Sequence, residues 1–286
     1  MGRAYLAIGV VTLLWAGNFT AGKIGMEQLD PYFVASIRIF GTAAVFYALL
    51  PRAQRRLERS DWKAILPLSV TGIAMNHVCF AAGIQLTLPS HSAVIHALIP
   101  VCVGVVAWIV LKEKLGVLGL LGMGLAVAGA LVVVLSVSRE EKEATLWGDV
   151  LTLVGIVAFT FYTVYGRKAL GRMGSFRAVT FGFVFAVPVM IPCLVAGLLR
   201  QDWAKVTWQG WTALAYMFVF ANLVCYRLHI FALEHLRAGQ VAAFTTLQPA
   251  LGIGIAVLAG KDRVTGSLVA GAALALLGVV FVQSRR

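Results

Sequence analysis

Residues able to do chemistry are sparse in this 286-residue chain, and they fall at helical spacing inside apolar surroundings. Asn222, Tyr226 and His229 recur at i, i+4 and i+7, which is one helix face. Gln240, Phe244 and Gln248 recur at i, i+4 and i+8. Asn76, His77 and Phe80 form a third set, and Ser92, His96 and Pro100 a fourth. Trp15 with Asn18 is matched much later by Phe159 with Tyr162. Rings bury an apolar body, while amides and imidazoles orient a carboxylate or an amine by hydrogen bonds. Such a set suits binding better than catalysis. The chain carries no P-loop, no HExxH and no GxSxG, so no enzyme, metal or organic cofactor is expected. Cys79, Cys102, Cys193 and Cys225 lie in apolar runs without paired or metal-like spacing and read as small buried residues.

Each stripe also has a plainer use, because the same amides serve equally as hydrogen bonds between packed helices. The charges narrow the choice. Every Asp and Glu lies in a loop or near the end of an apolar run, Asp149 and Glu234 being the deepest. That leaves no mid-membrane carboxylate as proton carrier or as counter-ion for a cationic drug. Arg38 and Arg227 lie within apolar runs but close enough to an end to be expected to snorkel. On that reading nothing secures a basic residue for a phosphorylated substrate. His91 and His235 sit at run ends and read as interfacial, whereas His77, His96 and His229 lie deeper.

The elements that position these residues follow from composition. Hydrophobic residues make up 60% of the chain, charged ones only 13%, and mean hydropathy is +0.89. So few charges cannot cover a water-exposed surface, so lipid must take much of it. Apolar stretches long enough to cross a bilayer fall near 4–23, 32–51, 64–86, 92–111 and 115–137, then near 147–166, 177–199, 210–233, 239–258 and 265–283. The first reads as a retained helix rather than a cleaved leader. The net charge of +12 sits in short loops, which is the pattern of membrane orientation and not of a nucleic-acid surface. With a cytoplasmic N-terminus, fifteen Lys and Arg residues fall inside, from Arg3 through the Arg52–Lys63 group to Arg286. Seven fall outside: Lys23, Arg139, Lys142, Arg200, Lys205, Lys261 and Arg263. Both termini are therefore expected inside.

The two halves resemble each other. A shift of 149 residues carries Leu98, Pro100 and the Lys112-Glu113-Lys114 turn onto Leu247, Pro249 and Lys261-Asp262-Arg263. The same shift carries Gly122 and Gly129 onto Gly271 and Gly278. A shift of 144 carries Trp15 and Asn18 onto Phe159 and Tyr162. Five spans is an odd number, so two such halves in one chain must be inverted. The expected fold is all-α and integral to the membrane, with ten transmembrane helices as two inverted five-helix repeats around a central cavity. Residues 1–137 form one repeat, 138–146 an external linker and 147–286 the other. Gly116, Gly119, Gly122, Gly124 and Gly129, with Gly271, Ala275 and Gly278, read as sites of close helix approach.

The opening Leu13-Leu14-Trp15-Ala16-Gly17-Asn18-Phe19, Arg38, the two prolines Pro100 and Pro249 and the Lys112-Glu113-Lys114 turn resemble the EamA-type transporters of the drug/metabolite transporter superfamily. The likeness runs over essentially the whole chain, and the YddG-like amino-acid exporters are the branch it favours. It implies a secondary transporter in the bacterial cytoplasmic membrane, lined mainly by helices 1, 3, 4, 6, 8 and 9. The expected cargo is a small neutral or zwitterionic metabolite, above all amino acids, aromatic and apolar ones included, carried outward by alternating access. Export of a drug, sugar or quaternary amine, or a channel, is the alternative. The expected binding set is Trp15, Asn18, Asn76, His77, Phe80, His96, Tyr162, Asn222, Tyr226, Phe244 and Gln248, with Pro100 and Pro249 as kinks or gates. The expected partners are the small substrate and the lipid bilayer, in a monomer or homodimer.

Odd parity puts the loop at 52–58 and the linker at 138–146 on opposite sides. Single cysteines at Arg55 and Ser138 should therefore react with an impermeant maleimide from opposite faces of sealed vesicles. Labelling of both from one face would sink the inverted arrangement.

Overall fold

The computed structural model describes residues 2–111, 116–136, 142–170, 173–236 and 238–283. These residues form helices and the turns between them, without strands. The first helix, α1 (Gly2–Met26), ends in a turn at Leu29, and Asp30 then caps α2 (Pro31–Leu49). Asp30 Oδ1 accepts from the backbone N–H groups of Tyr32 (2.8 Å) and Phe33 (3.2 Å), and proline at the first helical position needs no donor there. α3 (Arg59–Leu68), a π-helical segment (Ser69–Met75) and α4 (Asn76–Leu86) follow one another without a break. The next span is interrupted: α5 (Pro89–His96) and α6 (Ile99–Leu111) are separated by a turn at residues 97–98. α7 (Val117–Leu135), α8 (Lys142–Leu170) and α9 (Ser175–Arg200) are long single helices.

α10 (Trp208–Ala215), a second π-helical segment (Tyr216–Val224) and α11 (Cys225–His235) again run on continuously. α12 (Ala238–Thr245) and α13 (Gln248–Leu258) are separated by a turn at 246–247, and α14 (Gly266–Gln283) ends the described chain. Pro100 and Pro249 each stand second in the helix after a turn. Neither can donate to the carbonyl four residues earlier, His96 or Thr245, so the expected bend is a break with a fresh helix start. The turn after α13 closes through Gly260 at φ 66°, a backbone state that favours glycine.

Among the described residues, eight helical runs are long and apolar enough to cross a membrane, and Gln248–Leu258 and Gly266–Val282 are shorter apolar helices. Large apolar side chains stand on the outside: Leu121, Leu131 and Leu135 on α7, Ile191, Val195 and Leu199 on α9. Water would not tolerate such a surface, and lipid requires it. The protein is an integral membrane protein. α8 begins at Lys142, so residues 142–146, expected in the linker, are already helix, Lys, Glu and Ala being good helix formers. Residues 138–141 and the Lys112-Glu113-Lys114 turn lie outside the described residues.

The helices pair in a regular way. α2 packs on α9, α4 on α8, α7 on α14, and α1 lies against α11 and α13. The largest core cluster, with Phe46, Ile39, Phe183, Met190 and Met217 fully enclosed, joins α1, α2, α4, α9 and the second π segment. Between α7 and α14 the backbones touch. A Cβ at Gly129 would lie 2.4 Å from the Ala275 nitrogen and 2.5 Å from the Gly271 oxygen, and one at Gly122 would lie 2.6 Å from the Gly278 oxygen. Gly119 and Gly124, expected to share this role, face open space. Gly129→Val should therefore separate the pair and cost at least about 2 kcal/mol, the scale of overpacking a filled interface. Gly119→Val should leave the melting temperature in detergent nearly unchanged. Equal melting of the two variants would contradict the packing.

Candidate functional site

Arg38 and Thr42, one turn apart on α2, point into the bundle, where Arg38 is 5% exposed. Arginine only donates, so the Asn222 oxygen must face it, and Nη2 donates to Asn222 Oδ1 at 2.7 Å. That orientation turns the Asn222 Nδ2 group toward Thr42 Oγ1 (3.2 Å) and His77 Nε2 (3.3 Å). The other ring nitrogen of His77 lies 2.9 Å from the Ile73 carbonyl, which can only accept. His77 therefore carries its proton on Nδ1, accepts on Nε2 and is neutral in this arrangement. Thr42 completes the set by donating to the Arg38 carbonyl at 2.6 Å. Arg38 Nε and Nη1 are buried and find no acceptor among the described residues. The guanidinium carbon lies 5.6 Å from the centre of the Phe80 ring.

Aromatic rings surround this network. Phe80 meets Phe19 (6.2 Å between centroids) and His96 (5.8 Å), and Phe19 meets His96 at 5.0 Å. Phe183 of α9 stands edge-on to both His77 (5.7 Å) and Tyr226 (5.2 Å). Trp15 lies 6.3 Å from Tyr226 and 5.1 Å from His229, and its indole N–H donates to the Ala221 carbonyl at 2.9 Å. The contributing elements are α1, α2, α4, α5, α9 and α11 with the second π segment.

Of the residues expected in one site, Trp15, His77, Phe80, His96, Asn222 and Tyr226 are brought together. Asn18, one turn from Trp15, is buried with Oδ1 unpartnered among the described residues. Tyr162 projects from α8 against the first π segment: a Cβ at Gly72 would overlap its own Cβ at 2.0 Å, and Phe159 stacks on it at 6.1 Å. Asn76 takes the plainer role, donating to the Gly155 carbonyl of α8 at 3.0 Å. Phe244 packs on Tyr5 at 6.0 Å. Phe244 also lies against Gly9, six residues and about 9 Å along α1 from Trp15, and the Phe244 and Trp15 rings pack on one apolar cluster. Gln248 is the first residue of α13, directly after the turn.

One sequence-based expectation is corrected. Arg38 does not snorkel; it is enclosed because α2 lies against α4, α9 and the second π segment, which cut its side chain off from the surface. A basic residue is thus secured in the interior after all. Arg227 is exposed and stacks on Phe176 at 4.6 Å. His91, at the end of its span as expected, is buried (4% exposed), with Nδ1 3.0 Å from Asp149 Oδ2, while Thr87 donates to Asp149 Oδ1 at 2.5 Å. Phe19, Thr42 and Phe183 join the site without having been expected there. Arg38 and Thr42 at i and i+4 do carry a stripe signal, but Phe183 lies in an apolar helix without one. An open apolar groove of about 400 Å³ on the outer face, lined by Met75, Leu153, Val157 and Phe161 among others, shares no side chain with the network.

The model of the EamA-like transporter family matches residues 2–135 and 146–284. An uncharacterised transporter of Archaeoglobus fulgidus is 24% identical over 288 residues, covering 99% of this chain and 100% of its own. A probable amino-acid metabolite efflux pump of Escherichia coli is 24% identical, covering 94% of this chain and 91% of its own. A probable amino-acid metabolite efflux pump of Salmonella typhimurium is 23% identical, with 96% and 92% covered. A crystal structure 16% identical in sequence superposes with a TM-score of 0.67 over 98% of this chain and 96% of its own, which shows a shared fold.

The network makes Asn222 the residue whose loss strands the most partners. Asn222→Leu should cost about 2 kcal/mol, between the value of a hydrogen bond to a charged group and the smaller values usual between membrane helices. Thr42→Val should cost less than half of that. Thermal unfolding in detergent reads both, and an Asn222→Leu protein as stable as the parent would argue against the network.

Proposed function

The chain belongs to the EamA-like transporter family, and from that premise we propose that it is a secondary transporter carrying a small zwitterionic metabolite, most specifically amino acids with apolar or aromatic side chains, outward across the bacterial cytoplasmic membrane. The observation that carries this reading is the meeting of rings and hydrogen-bonding groups from α1, α2, α4, α5, α9 and α11 in one enclosed place. Trp15, Phe80, His96 and Tyr226 supply apolar area, and Arg38, Asn18 and Asn222 supply polar groups. The Escherichia coli and Salmonella relatives, as probable amino-acid metabolite efflux pumps, support amino-acid export. A buried guanidinium disfavours a quaternary amine as cargo, since like charges repel more strongly where water is excluded.

Alternating access needs two comparable halves, and we read residues 1–137 and 147–286 as inverted five-helix repeats with ten crossings and cytoplasmic termini. Three features support it. Gly122 faces Gly278 while Gly129 faces Gly271, so each contact maps onto the other under the 149-residue shift with direction reversed. The turns at 97–98 and 246–247 are related by the same shift. Asn76 donates to the Gly155 carbonyl, and the positions related by shifts of 149 and 144 pair Cys225 Sγ with the Val11 carbonyl at 3.9 Å. On this reading Tyr162, Phe244 and Gln248 border the cavity, and Pro100 and Pro249 mark the hinges.

Proteoliposomes preloaded with unlabelled L-phenylalanine or L-leucine should accumulate the labelled amino acid by saturable counterflow, without a pH gradient. Flux that neither saturates nor counterflows would favour a channel. We also expect no obligatory proton coupling, since no carboxylate lies mid-membrane; a pH gradient alone driving uphill accumulation would overturn that and direct attention to His77, His96 or His229.

A further inference from the structure

We propose that Arg38 is the receptor for the carboxylate of the transported molecule, an assignment that rests on the transporter reading above. Arg38 is enclosed among apolar helices, and the three ion pairs found among the described residues do not include it. A buried cation without a counter-ion is costly unless something anionic joins it. Asn222 occupies one hydrogen of Nη2, and Nε and Nη1 are unpartnered among the described residues. A guanidinium has two edges, each offering a parallel pair of N–H groups; whichever edge Asn222 takes, the other matches the two oxygens of a carboxylate. The fork is also held in advance. Phe80 lies beneath it, and Asn222 is oriented by Thr42 and His77. Among the described residues no second Lys or Arg donates to Asn222 or His77, and His77 is neutral in this network, so one negative charge fits better than the two of a phosphate. The rings of Phe80, Phe183, Tyr226 and Trp15 suit an apolar body attached to that carboxylate.

Binding of four probes to the purified full-length protein, by calorimetry and thermal shift, tests this: L-phenylalanine, L-phenylalaninamide, phenylacetate and inorganic phosphate. L-Phenylalanine and phenylacetate should bind, and the amide should bind at least about tenfold more weakly, the scale of a lost charge-assisted hydrogen bond. Arg38→Gln should erase the difference between acid and amide, and Arg38→Lys, a point charge without a fork, should keep part of it. Asn222→Asp places a carboxylate of the protein itself on the guanidinium. That variant should remain folded, by its melting temperature, yet lose at least about tenfold in affinity for both acids. Undiminished preference for the acid in folded Arg38→Gln or Asn222→Asp would overturn the assignment while leaving amino-acid transport standing. Arg38-dependent binding of phenylacetate with no counterflow of any amino acid would do the reverse. Tighter binding of phosphate than of the acids would overturn the carboxylate, and no binding of any probe to the parent would overturn both readings.

Discussion

A guanidinium buried between helices of an apolar bundle must take its hydrogen bonds from other helices, and at Arg38 the described partner is the amide oxygen of Asn222. Much of the interior follows from that one bond. It fixes which way the Asn222 amide faces, and through Nδ2 it fixes the acceptor nitrogen of His77. His77 then donates its Nδ1–H to the Ile73 carbonyl in the first π segment, while Asn222 itself stands in the second. Wider helical turns displace side chains from the positions that regular helices would give them, and they recur where interiors hold polar groups. Here both π segments border the same network, and α2 is held between them.

Around this polar centre, close backbone approach decides what else fits. α7 and α14 touch through glycines and exclude any cavity between themselves, with Val133 and Ala275 filling the remainder of that seam. The α1, α4, α5, α9 and α11 helices instead bring large rings together. At the end of the bundle where α1 finishes, polar contacts take over: Lys261 pairs with Glu27 at 2.6 Å, Lys23 donates to the Thr87 carbonyl at 2.7 Å, and Asp262 accepts from the Ser90 N–H at 3.1 Å. Together with Asp149, Thr87 and His91, these tie α1 and the α4–α5 corner to the start of α8 and to the α13–α14 loop. Centre and end are thus held by different chemistry.

The helices are largely legible in the sequence because a bilayer demands about twenty apolar residues per crossing, and each expected run lies within a helix or a broken pair of helices up to a few residues at its ends. Lateral placement is not legible. Arg38 lies at a depth compatible with snorkelling, and only the packing of α2 between neighbours encloses it. Asn76 and His77 are adjacent, about 100° apart on the helix, and the π segment just before them sets which one faces Asn222. Nothing in their spacing reveals that segment. Phe244 shares a stripe with Gln248, but the turn between them ends one helix and starts another, so the stripe does not continue. The position of His91 at the end of an apolar run suggests an interface, while its burial depends on Asp149, 58 residues away.

The two turns carry one more implication. Pro100 withholds an N–H group from the carbonyl of His96, and such a backbone group cannot face lipid. α5 and α13 pack against each other, and Gly252 of α13 lies against Phe19 and Ala93, so the interrupted spans are lined by protein on that side. The His96 ring, held through Nδ1 to the Ser92 carbonyl at 2.7 Å, ends α5 among Phe19 and Phe80. His96, the last residue of α5, stands both at the level of the rings and beside the break. The break therefore connects the backbone irregularity to the aromatic cluster through a single residue. Any rotation of α6 relative to α5 would begin at the turn that His96 borders.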